Sequence, residues 1–245
     1  MSALSTIKID RRRWLQLAAS QVALSLLVGR ARAADRIALR ASDALLVIDM
    51  QNCFVPGGSL AVKEGDKLAP LINQLGQRFQ NVVLTQDWHT PDHVSFSSQH
   101  PGTQPFETIK LWYGVQVLWP DHCVQGTPGA AIVSGLDIPH AQLVLRKGYH
   151  RDVDSYSAFL EADRKTETGL AGYLRDRKIT RVFLCGLATD YCVASSALDA
   201  RKFGFRAAVI EDACRGIDLN GSLAKAWQAM TNASVLRLQS SDIGA

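Results

Sequence analysis

Three residues carry the groups that nucleophilic attack on a carbonyl requires: a carboxylate at Asp49, an ammonium at Lys147 and a thiol at Cys192. Asp49 directly follows the apolar run Ala44-Leu45-Leu46-Val47-Ile48, and Lys147 closes the run Leu143-Val144-Leu145-Arg146. Runs of this length read as buried strands, and a carboxylate at the end of one is partly desolvated, which raises its pKa toward that of a general base. Cys192 follows Gly186-Leu187-Ala188-Thr189-Asp190-Tyr191, where a strand gives way to a helix capped by Thr189 or Asp190. In the first turn of that helix, the partial positive charge and unpaired N–H groups favour a thiolate and can face an oxyanion. Alone, Asp49 reads as a turn cap, Lys147 as a solvated cation and Cys192 as an inert core thiol. Three strand ends delivering them to one rim would supply a proton acceptor, a charge holder and a nucleophile.

A second group lies in Gln86-Asp87-Trp88-His89-Thr90-Pro91-Asp92-His93, with His122 further on in Trp119-Pro120-Asp121-His122-Cys123. Asp87 and His89 are two apart, so in extended chain their side chains point to one side, and a turn at Pro91 could fold His93 back beside them. Imidazole nitrogens with one carboxylate oxygen suit a single divalent metal ion of borderline type, Zn, Fe or Mn. The alternative is a set of surface loop histidines. His100, His140 and His150 have no such company and read as structural.

These groups need a frame. Strand candidates are Ala44–Ile48, Val82–Thr85, Gln142–Leu145, Arg181–Leu184, Arg206–Ile210 and Val235–Leu238, and helical segments lie at Lys67–Phe79, Thr168–Lys178, Asp190–Phe203 and Leu223–Thr231. The alternation implies an α/β, doubly wound, mostly parallel six-stranded sheet with helices on both faces and a site outside the strands' carboxyl ends. Residues 90–130, rich in Pro, Gly, His and Trp, break the alternation as a long irregular insertion.

The chain of 245 residues carries a net charge of +4, but its positive excess is local. Residues 1–33 hold Lys8, Arg11, Arg12, Arg13, Arg30 and Arg32 against Asp10 alone, a net of +5, which leaves −1 for the rest. A near-neutral body with no basic stripe excludes nucleic acid and suits a small-molecule substrate. The leader itself runs from a basic stretch through an apolar one, Trp14 to Val28, to Ala31-Arg32-Ala33. It reads as a signal peptide over 1–33, with a cleavage-like end and too short an apolar run for a membrane anchor, followed by a single domain over 34–245. Arg12-Arg13-Trp14-Leu15 resembles a twin-arginine signal, so the expected partner is the export machinery and the expected location periplasmic or otherwise exported. Five cysteines (Cys53, Cys123, Cys185, Cys192, Cys214) are too few and too scattered for a disulfide scaffold, and at least one must be unpaired. The oligomeric state is not written in these patterns.

Taken together, Ile48-Asp49-Met50-Gln51-Asn52-Cys53-Phe54, Asp87-Trp88-His89, Trp119-Pro120-Asp121-His122-Cys123-Val124, Lys147-Gly148, Asp154-Ser155-Tyr156-Ser157-Ala158-Phe159 and Gly186-Leu187-Ala188-Thr189-Asp190-Tyr191-Cys192-Val193 resemble the nicotinamidase/pyrazinamidase branch of the isochorismatase-like hydrolases. The likeness runs from about Ala44 to the C-terminus. It implies an Asp49, Lys147, Cys192 triad and a metal held by Asp87, His89 and His122, with His93 as a further ligand. It also implies a ring pocket shaped by Phe54, Trp119, Tyr156 and Tyr191, and a cis peptide before Ala188 that turns the amides of Ala188 and Cys192 into an oxyanion hole. The reaction implied is hydrolysis of nicotinamide to nicotinate and ammonia through a thioester, with pyrazinamide also accepted. Cys53 departs from the family, which usually carries an acid there. So does the leader, for an activity often placed in cytosolic NAD salvage.

Two other readings compete. A related amidohydrolase acting on a carbamoyl or ureido compound would use the same triad without metal, which leaves Asp87-x-His89 and Trp119-Pro120-Asp121-His122 unexplained. A non-catalytic periplasmic binding protein would bind a heterocycle indifferently to Cys192→Ala and turn nothing over.

Overall fold

The computed structural model describes residues 36–244. The signal read at 1–33 lies outside the described residues. The body, residues 39–240, is built on one sheet. A terminal strip, residues 36–38 with 241–244, forms a unit of its own in which Ile37 bridges Ile243.

The strands of the sheet are β1 (Asp43–Ile48), β2 (Asn81–Asp87), β5 (Leu143–Lys147), β6 (Arg181–Leu187), β7 (Arg206–Arg215) and β8 (Leu236–Leu238). They lie in the order β5-β2-β1-β6-β7-β8, all parallel. Chain order runs outward in one direction from β1 through β2 to β5 and in the other from β6 to β8. The direction of winding therefore reverses between β1 and β6, where a doubly wound sheet opens a crevice at its carboxyl edge. Every residue of β1 is buried, as a central strand covered on both faces requires. Helices α1 (Ala69–Gly76), α2 (Leu170–Asp176), α3 (Ala194–Lys202) and α4 (Ser222–Asn232) fill the expected connections.

Register decides which strand ends meet. Ile48 pairs with Gly186, which puts the residues after β1 beside the end of β6. Gly186 has φ of +111°, and a Cβ there would lie 2.1 Å from the Ile48 carbonyl oxygen, so only glycine permits this approach. Across β2 and β5, Asp87 pairs directly with Lys147.

Two local expectations change. The insertion contains an antiparallel hairpin, β3 (Thr108–Leu111) and β4 (Gly114–Val117), which its scattered apolar residues did not signal. The segment predicted as one helix from Asp190 begins as a π-helical turn, Thr189–Val193, before α3, and neither Thr189 nor Asp190 caps it. Asp190 instead accepts hydrogen bonds from the amides of Ile217 (2.9 Å) and Asp218 (2.8 Å), pinning the loop after β7. No helix among the described residues is long and apolar enough to cross a membrane.

Candidate active site

The reversal between β1 and β6 gathers the three groups of the first constellation. Asp49 follows β1 with φ of +47°, a left-handed conformation that aspartate tolerates better than most residues. Its Oδ1 accepts a hydrogen bond from the Thr85 hydroxyl at 2.5 Å, and its backbone N–H donates to the same hydroxyl at 3.1 Å. Lys147, 1% exposed, places Nζ 2.9 Å from Asp49 Oδ2 and 3.4 Å from Cys192 Sγ. The ammonium also donates to Asp87 Oδ1 and, at 3.0 Å, to the Ser155 carbonyl oxygen. Asp49 Oδ2 is engaged by the Lys147 ammonium, and Cys192 Sγ lies within 4.8 Å of the Asp49 carboxylate.

Burial sets the protonation states. It raises the Asp49 pKa above the ordinary carboxylate value, with Lys147 opposing it and the nearby Asp87 charge adding to it. Burial lowers Lys147, but the two carboxylates outweigh that and hold it charged, well above its usual value. Burial also pushes the Cys192 thiol well above its ordinary value; Lys147 pulls it down and Asp49 pushes it up. The resting group is a thiol beside a carboxylate and an ammonium, not the free thiolate expected from a helix end alone.

The second constellation sits next to the first, since Lys147 contacts both Asp49 and Asp87. His89 Nδ1 faces the Gly148 carbonyl oxygen at 2.8 Å and His122 Nδ1 the Pro120 carbonyl oxygen at 2.9 Å. A carbonyl can only accept, so both Nδ1 atoms carry a proton and both Nε2 atoms are turned toward Asp87. Those Nε2 atoms lie 3.6 and 3.9 Å from Asp87 Oδ2. Gly148 makes room for this: a Cβ there would lie 2.6 Å from the His89 ring. Two buried imidazole nitrogens and one carboxylate oxygen fit a divalent metal ion. Burial lowers the pKa of His122 to about 3, whereas at His89 burial is outweighed by the Asp87 charge, which raises the ring above its usual value.

His93 falls in a second metal-capable group, with His89 and Asp154, that shares His89 with the first. Its ring packs against His89 with centroids 4.1 Å apart, but Nδ1 is 2.7 Å from the Ser95 hydroxyl and Nε2 3.2 Å from the Val153 carbonyl oxygen. Both nitrogens have protein partners, and the ring buttresses His89. His100, His140 and His150 keep to local contacts elsewhere.

Beside the two groups lies a pocket lined by Phe54, Leu60, Asp87, His89, Trp119, His122, Asp154, Tyr156, Ala188, Tyr191, Cys192 and Ile217. All four aromatics expected from the sequence are among them. Trp119 and Tyr191 meet edge to face at 4.8 Å, Tyr156 and Tyr191 at 5.6 Å, and the Trp119 indole donates to the Tyr156 hydroxyl at 2.9 Å. The pocket is thus lined by the thiol, two imidazoles and aromatic side chains. The peptide Leu187–Ala188 is cis, as the family resemblance implied.

Several residues that build the site were not singled out from the sequence. Thr85 holds Asp49. Gln51 clamps β2 by donating to the Asp87 carbonyl oxygen and accepting from the Asp87 N–H, both at 2.8 Å. Asp154 is buried on the pocket wall and accepts from Gln116 at 2.7 Å. Gln51 and Asp154 lie inside the matched stretches, which was their only available signal. Cys53 and Cys123, expected to be scattered thiols, form a disulfide with Cα atoms 5.6 Å apart, while Cys185, Cys192 and Cys214 are free and buried.

Residues 43–240 match the isochorismatase domain. A nicotinamidase from Acinetobacter baylyi is 58% identical over 200 residues, which cover 82% of this chain and 94% of the relative. Among solved structures, an Acinetobacter baumannii nicotinamidase/pyrazinamidase superposes with a TM-score of 0.82 at 60% identity, covering 83% of this chain and 98% of its own. A Pyrococcus horikoshii pyrazinamidase in complex with zinc superposes with a TM-score of 0.66 at 36% identity, covering 81% and 99%.

Proposed function

Since the chain belongs to the isochorismatase family, in its nicotinamidase/pyrazinamidase branch, we propose that it hydrolyses nicotinamide to nicotinate and ammonia through a thioester on Cys192. The observation that carries the mechanism is the contact of one buried ammonium with both Asp49 Oδ2 and Cys192 Sγ, beside a pocket lined by aromatic side chains.

Asp49 takes the proton from the Cys192 thiol as the sulfur attacks the carboxamide carbon. Lys147 stabilises the anionic charge that passes between sulfur and carboxylate. The backbone amides of Ala188 and Cys192 receive the developing oxyanion. Asp49 then returns its proton to the departing ammonia. A carboxylate whose pKa is raised by burial is the stronger base for taking the thiol proton, and the departing amine nitrogen, more basic still, takes that proton back. With the amine gone, Asp49 draws a proton from water as it attacks the thioester, the C–S bond breaks, Asp49 returns the proton to the Cys192 sulfur, and nicotinate leaves with its own proton lost to solvent. Phe54, Trp119, Tyr156 and Tyr191 hold the ring in the pocket. A divalent ion, Zn, Fe or Mn, held by Asp87, His89 and His122 would supply a fixed positive centre that orients the ring nitrogen. Pyrazinamide, with the same carboxamide and a nitrogen at the same ring position, fits the same pocket.

Residues 34–245 serve as the hydrolase domain, and residues 1–33 direct its export. The support for export is the leader's own pattern of basic, apolar and small residues. Ammonia release from nicotinamide by the purified protein tests the chemistry. Release that is abolished in Cys192→Ala and falls on chelation supports the reading. No release from metal-replete protein would overturn nicotinamide as the substrate.

A further inference from the structure

Two of the five cysteines are placed so that they bear on the pocket without lining it. Cys53 immediately precedes Phe54 in the loop after β1, and Cys123 immediately follows His122. Both are buried, at 0% and 1% exposure, and they close a loop of 70 residues of sequence separation. Their Cα separation of 5.6 Å lies within the usual disulfide range.

The two sides of this link are anchored unequally. On the β1 side, Gln51 and Asn52 donate to carbonyl oxygens at Ala130 and Pro128, and the Leu60 amide donates to the Cys53 carbonyl oxygen, so the loop is tied down without the disulfide. On the other side, residues 120–124 are held at Asp121, which accepts from the Ser98 hydroxyl at 2.6 Å, and at Cys123. The Cys123 carbonyl oxygen accepts from the His89 amide at 3.1 Å, and the following residue, Val124, bridges His89. Cys123 also has φ of +44°, an uncommon conformation for a residue other than glycine. The disulfide therefore joins the well-anchored β1 loop to the segment that presents His122 and pairs with His89. The Phe54 ring rests 5.5 Å from the His122 ring on the same side.

We propose that the Cys53–Cys123 disulfide is a positioning cross-link for the cation side of the pocket, fixing His122 and Phe54 against β1 and so setting how tightly the site holds a divalent ion. The inference rests on the metal reading given under Proposed function. Forming the link removes two protons and two electrons from the two thiols, which a disulfide oxidant accepts by exchange, as an oxidising compartment provides. The exported location read from the leader and the burial of all three remaining thiols agree with such an environment.

The test uses the full-length protein isolated without reductant and Zn²⁺ as the probe. Unfolded in denaturant it should show three reactive thiols and yield a linked peptide pair containing Cys53 and Cys123. The Cys53→Ser/Cys123→Ser variant, and the wild type reduced by a phosphine, should bind Zn²⁺ about tenfold more weakly in competition with a chelating indicator, with unchanged far-UV circular dichroism. The reduced wild type carries the measurement where the double variant fails to fold. Five reactive thiols would overturn the cross-link. Zn²⁺ affinity unchanged by reduction, with only the melting temperature lowered, would overturn its positioning role. Absence of Zn²⁺ binding by the oxidised wild type would overturn the metal reading, and this inference with it.

Discussion

Strand β1 ends in a buried carboxylate on each side, and the two are treated differently. At its start, Asp43 receives the Arg181 guanidinium on both oxygens and the Arg40 amide at 2.7 Å. At its exit, Asp49 is equally buried, but Oδ2 faces the Lys147 ammonium, the backbone sits in a left-handed conformation and burial raises the pKa. One carboxylate is fully satisfied and holds strands together. The other is held by Thr85 and by an ammonium that also reaches a thiol and a second carboxylate. A shared partner, more than burial, marks the reactive end.

The contrast can be broken by substitution. Cys192→Ala should lower ammonia release on the order of 10⁴-fold or more, with the melting temperature little changed, because it removes the nucleophile and leaves the frame. Asp49→Asn should lower kcat/KM by about 10²- to 10⁴-fold, since the amide cannot take the thiol proton. Its stability should hold, as Lys147 retains Asp87 and the Ser155 carbonyl. Asp43→Asn should do the reverse, costing about 3 kcal/mol of stability by unpairing Arg181, with kcat within a few-fold of wild type. Denaturant titration beside initial rates checks both. If Asp43→Asn lost activity as Asp49→Asn does, the two ends would not be distinct.

The pH profile sharpens the comparison. Asp49 must be ionised to accept the proton, and its native pKa is raised, so the acid limb of kcat/KM should lie above the usual carboxylate value of about 4. A raised native pKa also means that stability falls as pH rises from the unfolded value to the native one, a fall that Asp49→Asn should lack. The smallest effect is expected of Thr85→Val. It removes the hydrogen bond that favours ionised Asp49, so the limb should move further up in pH and the rate fall about tenfold. A limb that moved down would show that Thr85 serves the protonated form instead.

Much of this was legible in the sequence. The run Ala44–Ile48 announced a buried strand with Asp49 at its end, and all six sheet strands were found, although β7 runs on to Arg215. Local pattern could place Asp49, Lys147 and Cys192 at strand ends but could not show that Lys147 also reaches Asp87. That contact depends on the β2–β5 register across a sequence separation of 60. The residue types at Asp87, His89 and His93 marked them as possible ligands, but only the fold shows that His93 shares His89 with the first group and turns its nitrogens to Ser95 and Val153. Pairing of Cys53 with Cys123 was invisible for a similar reason, since cysteine number and spacing fix parity and not partners. Asp190 matched the residue type of a helix cap but was drawn to two amides 27 and 28 residues away.

Lys147 also settles the charge stoichiometry of the pocket floor. Two carboxylates, Asp49 and Asp87, share one ammonium, so the trio carries one excess negative charge when all are ionised. As Asp49 takes the thiol proton, that excess leaves the carboxylate and reappears on the attacked carboxamide, so the total charge of the site stays constant while the reaction becomes polar. The residue that limits the excess to the one unit exchanged is neither the nucleophile nor the base.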